Sequence, residues 1–358
     1  MKEILKKYGM EGPQVFVQPI TNGLINKTWK VIDGEEQYVL QRINDHVFKQ
    51  PQEIAKNIAM IADYLEQKTP SYLFPALIKT KNGDQLVYDE AAGWYRLFRF
   101  VKGSHTIHTV LSPNQAFEAA SQFGRFTRLL SGFDALKLYT TIPDFHNLSL
   151  RYQQFETAIN HGNKERIKQS KQLIEEIRAH YYIVVAFEKL KHNSFIKKRV
   201  THHDTKISNV LFDAYDKGIC VIDLDTVMPG YFISDLGDMM RTYLSPAGEE
   251  EKDISLIEIR DDFFRAIISG YAKEMGDELN EEERKLIFFS GLFLTYMQAL
   301  RFLTDHLNND IYYGASYEDQ NLVRAGNQIQ LLKKLEEKRT VLEKIITEEL
   351  SAGNYFAL

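Results

Sequence analysis

Short β-rich runs fill the first hundred positions, and apolar residues at helical spacing fill most of the rest. Residues 14–20, 27–32 and 37–43 are rich in β-branched and aromatic side chains, the composition of strands. The loop Thr21-Asn22-Gly23-Leu24-Ile25-Asn26 separates the first two, and Asp33-Gly34 is a hairpin signal before the third. Pro51 opens a helix with Ile54, Ile58, Ile61 and Leu65 on one face. Residues 76–80 and 85–88 read as β segments joined by a turn at Lys81-Asn82-Gly83-Asp84, and residues 94–101 read as the fifth strand. Three strands, a helix and two strands with hairpin-length loops predict an antiparallel sheet.

Near residue 104 the period changes to three and four. Ser112-Pro113 begins a helix with Ala116, Ala119, Phe123, Phe126 and Leu130 on one face. Further helices are expected near 148–161, 164–191, 249–275, 281–307 and 317–350. A two-stranded insert interrupts them: residues 209–213, a turn at Tyr215-Asp216-Lys217-Gly218, and residues 219–223. The expected class is α+β, with a five-stranded antiparallel sheet over 1–101 and a mainly helical lobe over 102–358. There is no internal repeat and no low-complexity linker. Leu331, Leu335, Leu342 and Ile345 form a stripe that predicts packing of the last helix on that lobe.

Composition narrows the classes. The 358 residues are 44% hydrophobic and 26% charged with net charge −5, a globular balance that argues against a nucleic-acid binder. The single cysteine, Cys220, excludes an internal disulfide and a Cys-rich zinc site, and its apolar neighbours make it a core residue. The N-terminus has no long apolar stretch after its first charges, so no secretory signal is expected. Residues 286–303 are the most apolar segment. Ser290, Gly291, Thr295, Gln298 and Arg301 interrupt it, which predicts a buried helix rather than a membrane span. The expected compartment is the cytoplasm, and the oligomeric state is open.

The chemistry concentrates between residues 200 and 235. The segment Thr201-His202-His203-Asp204-Thr205-Lys206-Ile207-Ser208-Asn209 is followed, after a β turn, by Ile222-Asp223-Leu224-Asp225. Two short antiparallel strands would bring Asn209 and Asp223 together. An amide oxygen and a carboxylate are hard ligands suited to Mg²⁺ on phosphates. Asp204 would take a proton from an attacking hydroxyl, and Lys206 would neutralise a phosphate. His202 reads as a hydrogen-bonding brace of the loop rather than a base, and no zinc site is expected on His202 and His203, because adjacent residues rarely converge on one metal. Asp235 reads as an acceptor for backbone N–H groups. Asp225 is open between a second metal contact and structural support.

His202, Asp204 and Asn209 meet the pattern H-x-D-x-x-x-x-N, and Ile222, Asp223 and Asp225 meet I-D-x-[DE], with Gly230 and Asp235 following. The chain thereby resembles the aminoglycoside phosphotransferase and choline kinase superfamily, of protein-kinase-like two-lobed fold. The segments 38–44, 221–230 and 300–305 resemble its N-acetylhexosamine 1-kinase branch. The resemblance implies ATP and Mg²⁺ as co-substrate and metal. It also implies a small-molecule hydroxyl acceptor, a sugar, phosphorylated at its anomeric hydroxyl. The alternatives are an aminoglycoside, choline or homoserine acceptor, or a catalytically silent nucleotide-binding scaffold. It places Gly23, Asn26 and Thr28 in a loop over the phosphates, and Phe100 and Val101 in the hinge that reads adenine.

Two positions depart from kinase patterns. Gly23 is the only glycine in its loop. The strand lysine that usually pairs with the phosphates falls on Gln41, with Arg42 beside it on the opposite face of the strand and Glu53 as the candidate acidic partner. Arg301, on the apolar helix, is open between a salt bridge to Asp305 and substrate binding.

Overall fold

The structure is a computed structural model and describes residues 1–20 and 25–352. In chain order the elements are α1 (Lys2–Lys7), β1 (Val15–Ile20), β2 (Lys27–Asp33), β3 (Glu36–Arg42), α2 (Pro51–Lys68), β4 (Val87–Asp89), β5 (Gly93–Arg99) and β6 (His105–Thr106). There follow α3 (Pro113–Leu129), α4 (Leu148–His161), α5 (Lys164–Gln169), α6 (Lys171–Ala179) and α7 (Tyr182–Lys191). Then come β7 (Arg199–Thr201), β8 (Val210–Phe212), β9 (Gly218–Val221) and β10 (Met228–Gly230). The chain continues with α8 (Phe232–Tyr243), α9 (Asp261–Met275), α10 (Glu281–Arg284), α11 (Ile287–Leu307), α12 (Gln320–Glu337) and α13 (Arg339–Ala352).

The five N-terminal strands form one antiparallel sheet in the order β1-β2-β3-β5-β4. The β2–β3 hairpin pairs Asp33 with Glu36 and turns on Gly34, whose φ of 60° suits a residue without a Cβ. Residues 76–80 do not become a strand: Leu77 makes one isolated bridge to Phe98. Pro75 has no N–H to give, and the Thr80–Asp84 turn closes on itself, Thr80 N donating to the Asp84 carbonyl (2.8 Å). The helix α1, absent from the pattern reading, lays Ile4 and Leu5 against Val31, Leu40, Tyr95 and Leu97 and covers one sheet face. The other face carries Thr28, Val39, Gln41, Arg96 and Phe98, which line a cleft.

Expected helix starts hold where capping is local. Pro51 opens α2, and Ser112 caps α3 by accepting from Gln115 N (3.3 Å). Expected long helices break into pieces. The 164–191 stretch is three helices, and His180 ends the second by bonding the Glu176 carbonyl through Nδ1 (2.7 Å). The 249–275 stretch is helical only from Asp261, after a turn over Ile254–Leu256. The last stretch breaks at Lys338, whose ammonium bonds the Ile259 carbonyl (2.7 Å) and Asp261 (2.8 Å). The insert gains a third strand, because β6 pairs with β8 in the order β6-β8-β9.

The central helix α11 is the one described helix apolar and long enough to cross a membrane, and 78% of its most apolar window lies inside the fold. It packs on α4, α8 and α12, as a core helix does. Close helix crossings rest on two glycines. A Cβ on Gly237 of α8 would stand 2.2 Å from the Ser290 carbonyl oxygen, and one on Gly270 of α9 would stand 2.3 Å from that of Phe117.

The α3–α9 crossing carries a direct test. Gly270→Ala gains about 1 kcal/mol of helix propensity. It forces a methyl into a backbone carbonyl of α3, and overpacking of this kind costs about 1–3 kcal/mol. Thermal unfolding is expected at a lower midpoint than wild type. An unchanged or higher midpoint would show that the two helices separate without cost.

Candidate active site

The loop after β7 is held from below by the first turns of α8. Asp235 Oδ2 accepts from His202 N (2.9 Å) and Oδ1 from His203 N (2.7 Å). One turn on, Asp238 Oδ2 accepts from Thr205 N (2.8 Å), while its other oxygen takes Arg241 Nε (3.1 Å) and Nη2 (2.9 Å). Both carboxylates are buried. Burial pushes the Asp235 pKa up to about 7 against the pull of its two N–H donors. The His202 ring bonds the Ile222 carbonyl through Nε2 (2.9 Å) and sits edge-on to Phe123, and its pKa is lowered by burial. It braces the loop against the insert. His203 takes a left-handed φ of 67°, and a Cβ on Gly230 would stand 2.4 Å from its ring. Burial and then His202 push the His203 pKa down to about 3, so its ring is neutral.

This anchored loop forms the floor of a cleft of about 350 Å³ between the sheet and the insert. Thr28, Gln41, Phe100 and Val101 line it from the sheet side; Asp204, Lys206, Asn209 and Asp223 line it from the other. A larger open depression between α3, α9 and α13 holds none of these residues. Asp204 Oδ1 lies 3.3 Å from Lys206 Nζ. Burial would raise the Asp204 pKa, but Lys206 and His202 outweigh it and the net direction is down. Asn209 Nδ2 donates to the Asp204 carbonyl (2.9 Å), which leaves its oxygen without a donor among the described residues. Ile222 N donates to the Asn209 carbonyl (2.8 Å), so the ribbon register sets Asn209 beside Asp223.

Asp223 has a left-handed φ of 59° and opens onto the cleft with no hydrogen-bond donor among the described residues. The surrounding protein, then Asp225 and Asp204, push its pKa up to about 7. A carboxylate so placed favours a cation. No group of three or more His, Cys, Asp or Glu that could hold a metal exists among the described residues. The Asn209 amide oxygen and the Asp223 carboxylate are two hard oxygen donors, which would suit a divalent cation that completes its shell with phosphate and water.

The strand position is resolved by geometry. Gln41 lines the cleft and Arg42 does not. Directly across from Gln41 stands Arg96 on β5. Its Nε donates to Gln41 Oε1 (2.9 Å) and its Nη1 to Asp225 Oδ1. Glu53, the expected acidic partner, makes no ion pair among the described residues; Asp225 takes that place. Asp225 Oδ2 also accepts from Asn26 Nδ2 (2.7 Å), and Asn26 Oδ1 accepts from Asn44 N (2.9 Å). Both polar atoms of Asn26 are thus engaged, one with Asp225 and one with the segment after β3, and Asp225 is a brace rather than an exposed ligand. Gln41 Nε2 reaches Thr28 Oγ1 (3.4 Å). The Val101 carbonyl accepts from Ser104 Oγ (2.7 Å). Gly23 lies outside the described residues.

Arg301 does not pair with Asp305. Asp305 accepts from Tyr312 N (2.7 Å) and Tyr313 N (2.8 Å) instead. The Arg301 guanidinium bonds Gln298 Oε1 (3.2 Å) and Tyr312 Oη (3.3 Å) and lies 5.3 Å from the Phe145 ring centroid. Phe145 stacks on His146 (4.5 Å between centroids), whose Nδ1 is 3.3 Å from that of His203, next to Asp204. Arg151 is near: burial and then the Arg301 charge lower its pKa. Arg96, Asp238 and Arg151 carry no motif signal. Only for Arg96 was there a sequence clue, a glutamine where a cation was due and an arginine on a neighbouring strand.

The profile of the phosphotransferase enzyme family matches residues 17–273. Several solved structures share the fold. A microcompartment-associated aminopropanol kinase is 15% identical, covers 95% of this chain and 97% of its own, and has a TM-score of 0.60. A spectinomycin phosphotransferase in complex with ADP and spectinomycin is 14% identical over 94% and 97%, with a TM-score of 0.59. An amicoumacin kinase in complex with AMP-PNP and Ca²⁺ is 14% identical over 93% of each chain, with a TM-score of 0.56.

The buried carboxylates under the loop generate a stability test. Asp235→Asn turns an NH₂ toward one of the two N–H groups that Asp235 accepts from, leaving a buried donor unsatisfied. The expected cost is about 1–3 kcal/mol, read as a lower unfolding midpoint. A midpoint equal to wild type would mean the loop does not need the carboxylate.

Proposed function

The chain belongs to the phosphotransferase enzyme family, and on that premise we propose that it transfers the γ-phosphoryl group of ATP to the anomeric hydroxyl of an N-acetylhexosamine. Phosphoryl transfer to a small-molecule hydroxyl is the activity of that family. The acceptor reading rests on the surroundings of Arg301, which reach the loop of Asp204 through Phe145, His146 and His203. There Arg301 has no carboxylate partner among the described residues and sits among Phe145, Tyr312 and Tyr313 with Arg151 near it. Two guanidiniums and aromatic rings suit a neutral, hydroxyl-rich acceptor and repel an ammonium. The resemblance of segments 38–44, 221–230 and 300–305 to the N-acetylhexosamine kinase branch points the same way.

In this reading Asp204, ionised at neutral pH, orients the acceptor hydroxyl with the oxygen not engaged by Lys206. The acceptor oxygen forms a bond to the γ-phosphorus as the bond to the β–γ bridging oxygen breaks. ADP leaves with that electron pair, and the acceptor proton passes to Asp204. The transition state is loose, so positioning and charge neutralisation matter more than base strength. Lys206 neutralises the transferring phosphoryl. Asn209 and Asp223 would hold Mg²⁺, which supplies charge to the ATP phosphates. Phe100 and Val101 would face the base.

Asp204→Asn is expected to lower kcat by about 10²–10⁴-fold while ADP binding stays near wild type. Rapid-quench or coupled ADP-release kinetics, with calorimetric ADP titration, check this; near-normal kcat would remove Asp204 from the mechanism.

Acceptor identity is read by ADP release across a panel of neutral hexosamines, N-acetylated and free, and amino alcohols. Turnover is expected on an N-acetylhexosamine, with Arg301→Ala lowering kcat/KM for it by about 10–100-fold and leaving the Kd for ADP unchanged. Turnover of an amino alcohol alone would reject the sugar acceptor. Equal loss of sugar and ADP binding would make Arg301 structural.

A further inference from the structure

The cleft is short of cations for a polyphosphate. Asp204, Asp223 and Asp225 all line it, and the long cationic side chains lining it are Lys206, Arg99 and Arg96. Lys206 faces Asp204, and Arg99 pairs with Glu36 (2.8 Å) at the exposed surface of the sheet. Arg96 is different. Its side chain is 1% exposed and its partner Asp225 2%, so the pair is sealed into the cleft wall.

We propose that Arg96 binds the nucleotide phosphates in the place where kinases of this architecture carry a strand lysine. The inference rests on the reading of the cleft as the ATP site. Residue 41 and residue 96 are directly opposed on neighbouring strands, so their side chains leave the same sheet face within about 5 Å of each other. A guanidinium at 96 reaches the volume an ammonium at 41 would have filled. The two replacements are complementary. Gln41 presents an amide oxygen that accepts from Arg96 Nε, whereas a lysine there would set two cations at hydrogen-bond distance.

The guanidinium geometry suits a divided role. Arginine carries five N–H donors in a fixed fork. Nε is taken by Gln41 and one Nη1 hydrogen by Asp225. Nη2 makes no hydrogen bond among the described residues. A cation in a cleft wall with a whole NH₂ group unused is a donor pair waiting for oxygens, and phosphate oxygens match it in charge and geometry. A lysine also has donors for a carboxylate and a phosphate, but the guanidinium holds its donors in a fixed fork, so the share facing Asp225 and the share facing the cleft are set by geometry. Asp225 thereby takes the part of the acidic partner that Glu53 does not play. It sits two residues from Asp223 and also holds Asn26.

The test compares ADP with adenosine, which shares the base and sugar but has no phosphate. Removing Arg96 alone strands a buried Asp225 charge, so the variant used is the double Arg96→Met/Asp225→Asn, beside the single Arg96→Lys. Calorimetric titration is expected to show ADP binding weakened by about 10–100-fold in the double variant and less in Arg96→Lys. Adenosine binding should be as in wild type. Equal weakening of ADP and adenosine would make Arg96 a lobe brace only, and unchanged ADP affinity would leave it no part in binding; either overturns the proposal. If both variants fail to fold, a crystal structure of the wild-type complex with ADP decides. An Arg96 nitrogen within hydrogen-bond distance of a phosphate oxygen upholds it. A separation beyond about 4 Å overturns it. Failure of wild type to bind either ligand would sink the reading of the cleft as an ATP site, and the Arg96 role with it. Binding of both by wild type with any of the overturning results would sink the Arg96 role alone.

Discussion

The site depends first on two buried carboxylates one helical turn apart. Asp235 and Asp238 receive the N–H groups of His202, His203 and Thr205, which a loop between strands would otherwise leave without partners. A buried N–H without an acceptor costs about 1–3 kcal/mol. The loop conformation is therefore set by α8, the most deeply buried of the helices beside it. Once those three groups are pinned, Asp204 and Lys206 are presented to the cleft and Asn209 is carried to the start of β8. The His202 ring ties the same loop to the Ile222 carbonyl just before Asp223. The helix α8 thus positions Asp204, Lys206 and Asn209 through the loop, and the His202 ring links that loop to the segment carrying Asp223.

The second constraint crosses between the two halves of the chain. Arg96 on the sheet and Asn26 in the loop after β1 both converge on Asp225. An ion pair this buried adds little net stability over an apolar replacement, but breaking one partner costs about 3–5 kcal/mol. Its value here is geometric: it fixes the sheet over the insert and so sets the width of the cleft. The left-handed backbone at Asp223 and His203 is held in the same way, by neighbours rather than by preference. Gly230 is part of that arrangement, since the His203 ring occupies the space a Cβ would need.

Much of the fold is legible from local signals. The β2–β3 hairpin, the starts of α2 and α3, and the end of α4 sit where turn residues, prolines and caps put them. The strand–turn–strand arrangement around Asn209 and Asp223 is legible from spacing, but its register is not, because a bulge between Leu211 and Phe212 shifts the count by one residue. Less legible is where a helix stops. His180 and Lys338 end helices by reaching carbonyls, and neither residue type is a strong stop signal. The short α1 is likewise silent, since one turn and a half has too little period to read and exists because Ile4 and Leu5 cover the sheet.

The class of fold, the two-part organisation of strands and helices, and the placing of Asp204, Lys206, Asn209 and Asp223 at one cleft are legible in the amino-acid order. These depend on periodicity, turn chemistry and spacing over a few residues. Packing of the whole chain sets which cation on the sheet faces that cleft, what Asp225 and Asn26 bind, and that Asp305 turns to the Tyr312 and Tyr313 amides and leaves Arg301 to the aromatic rings. The Asp225 contacts join positions 129 residues apart for Arg96 and 199 apart for Asn26. No local pattern encodes them, because a hydrogen bond or ion pair of that range is chosen by the packing of whole elements, after each element's own preferences have been met.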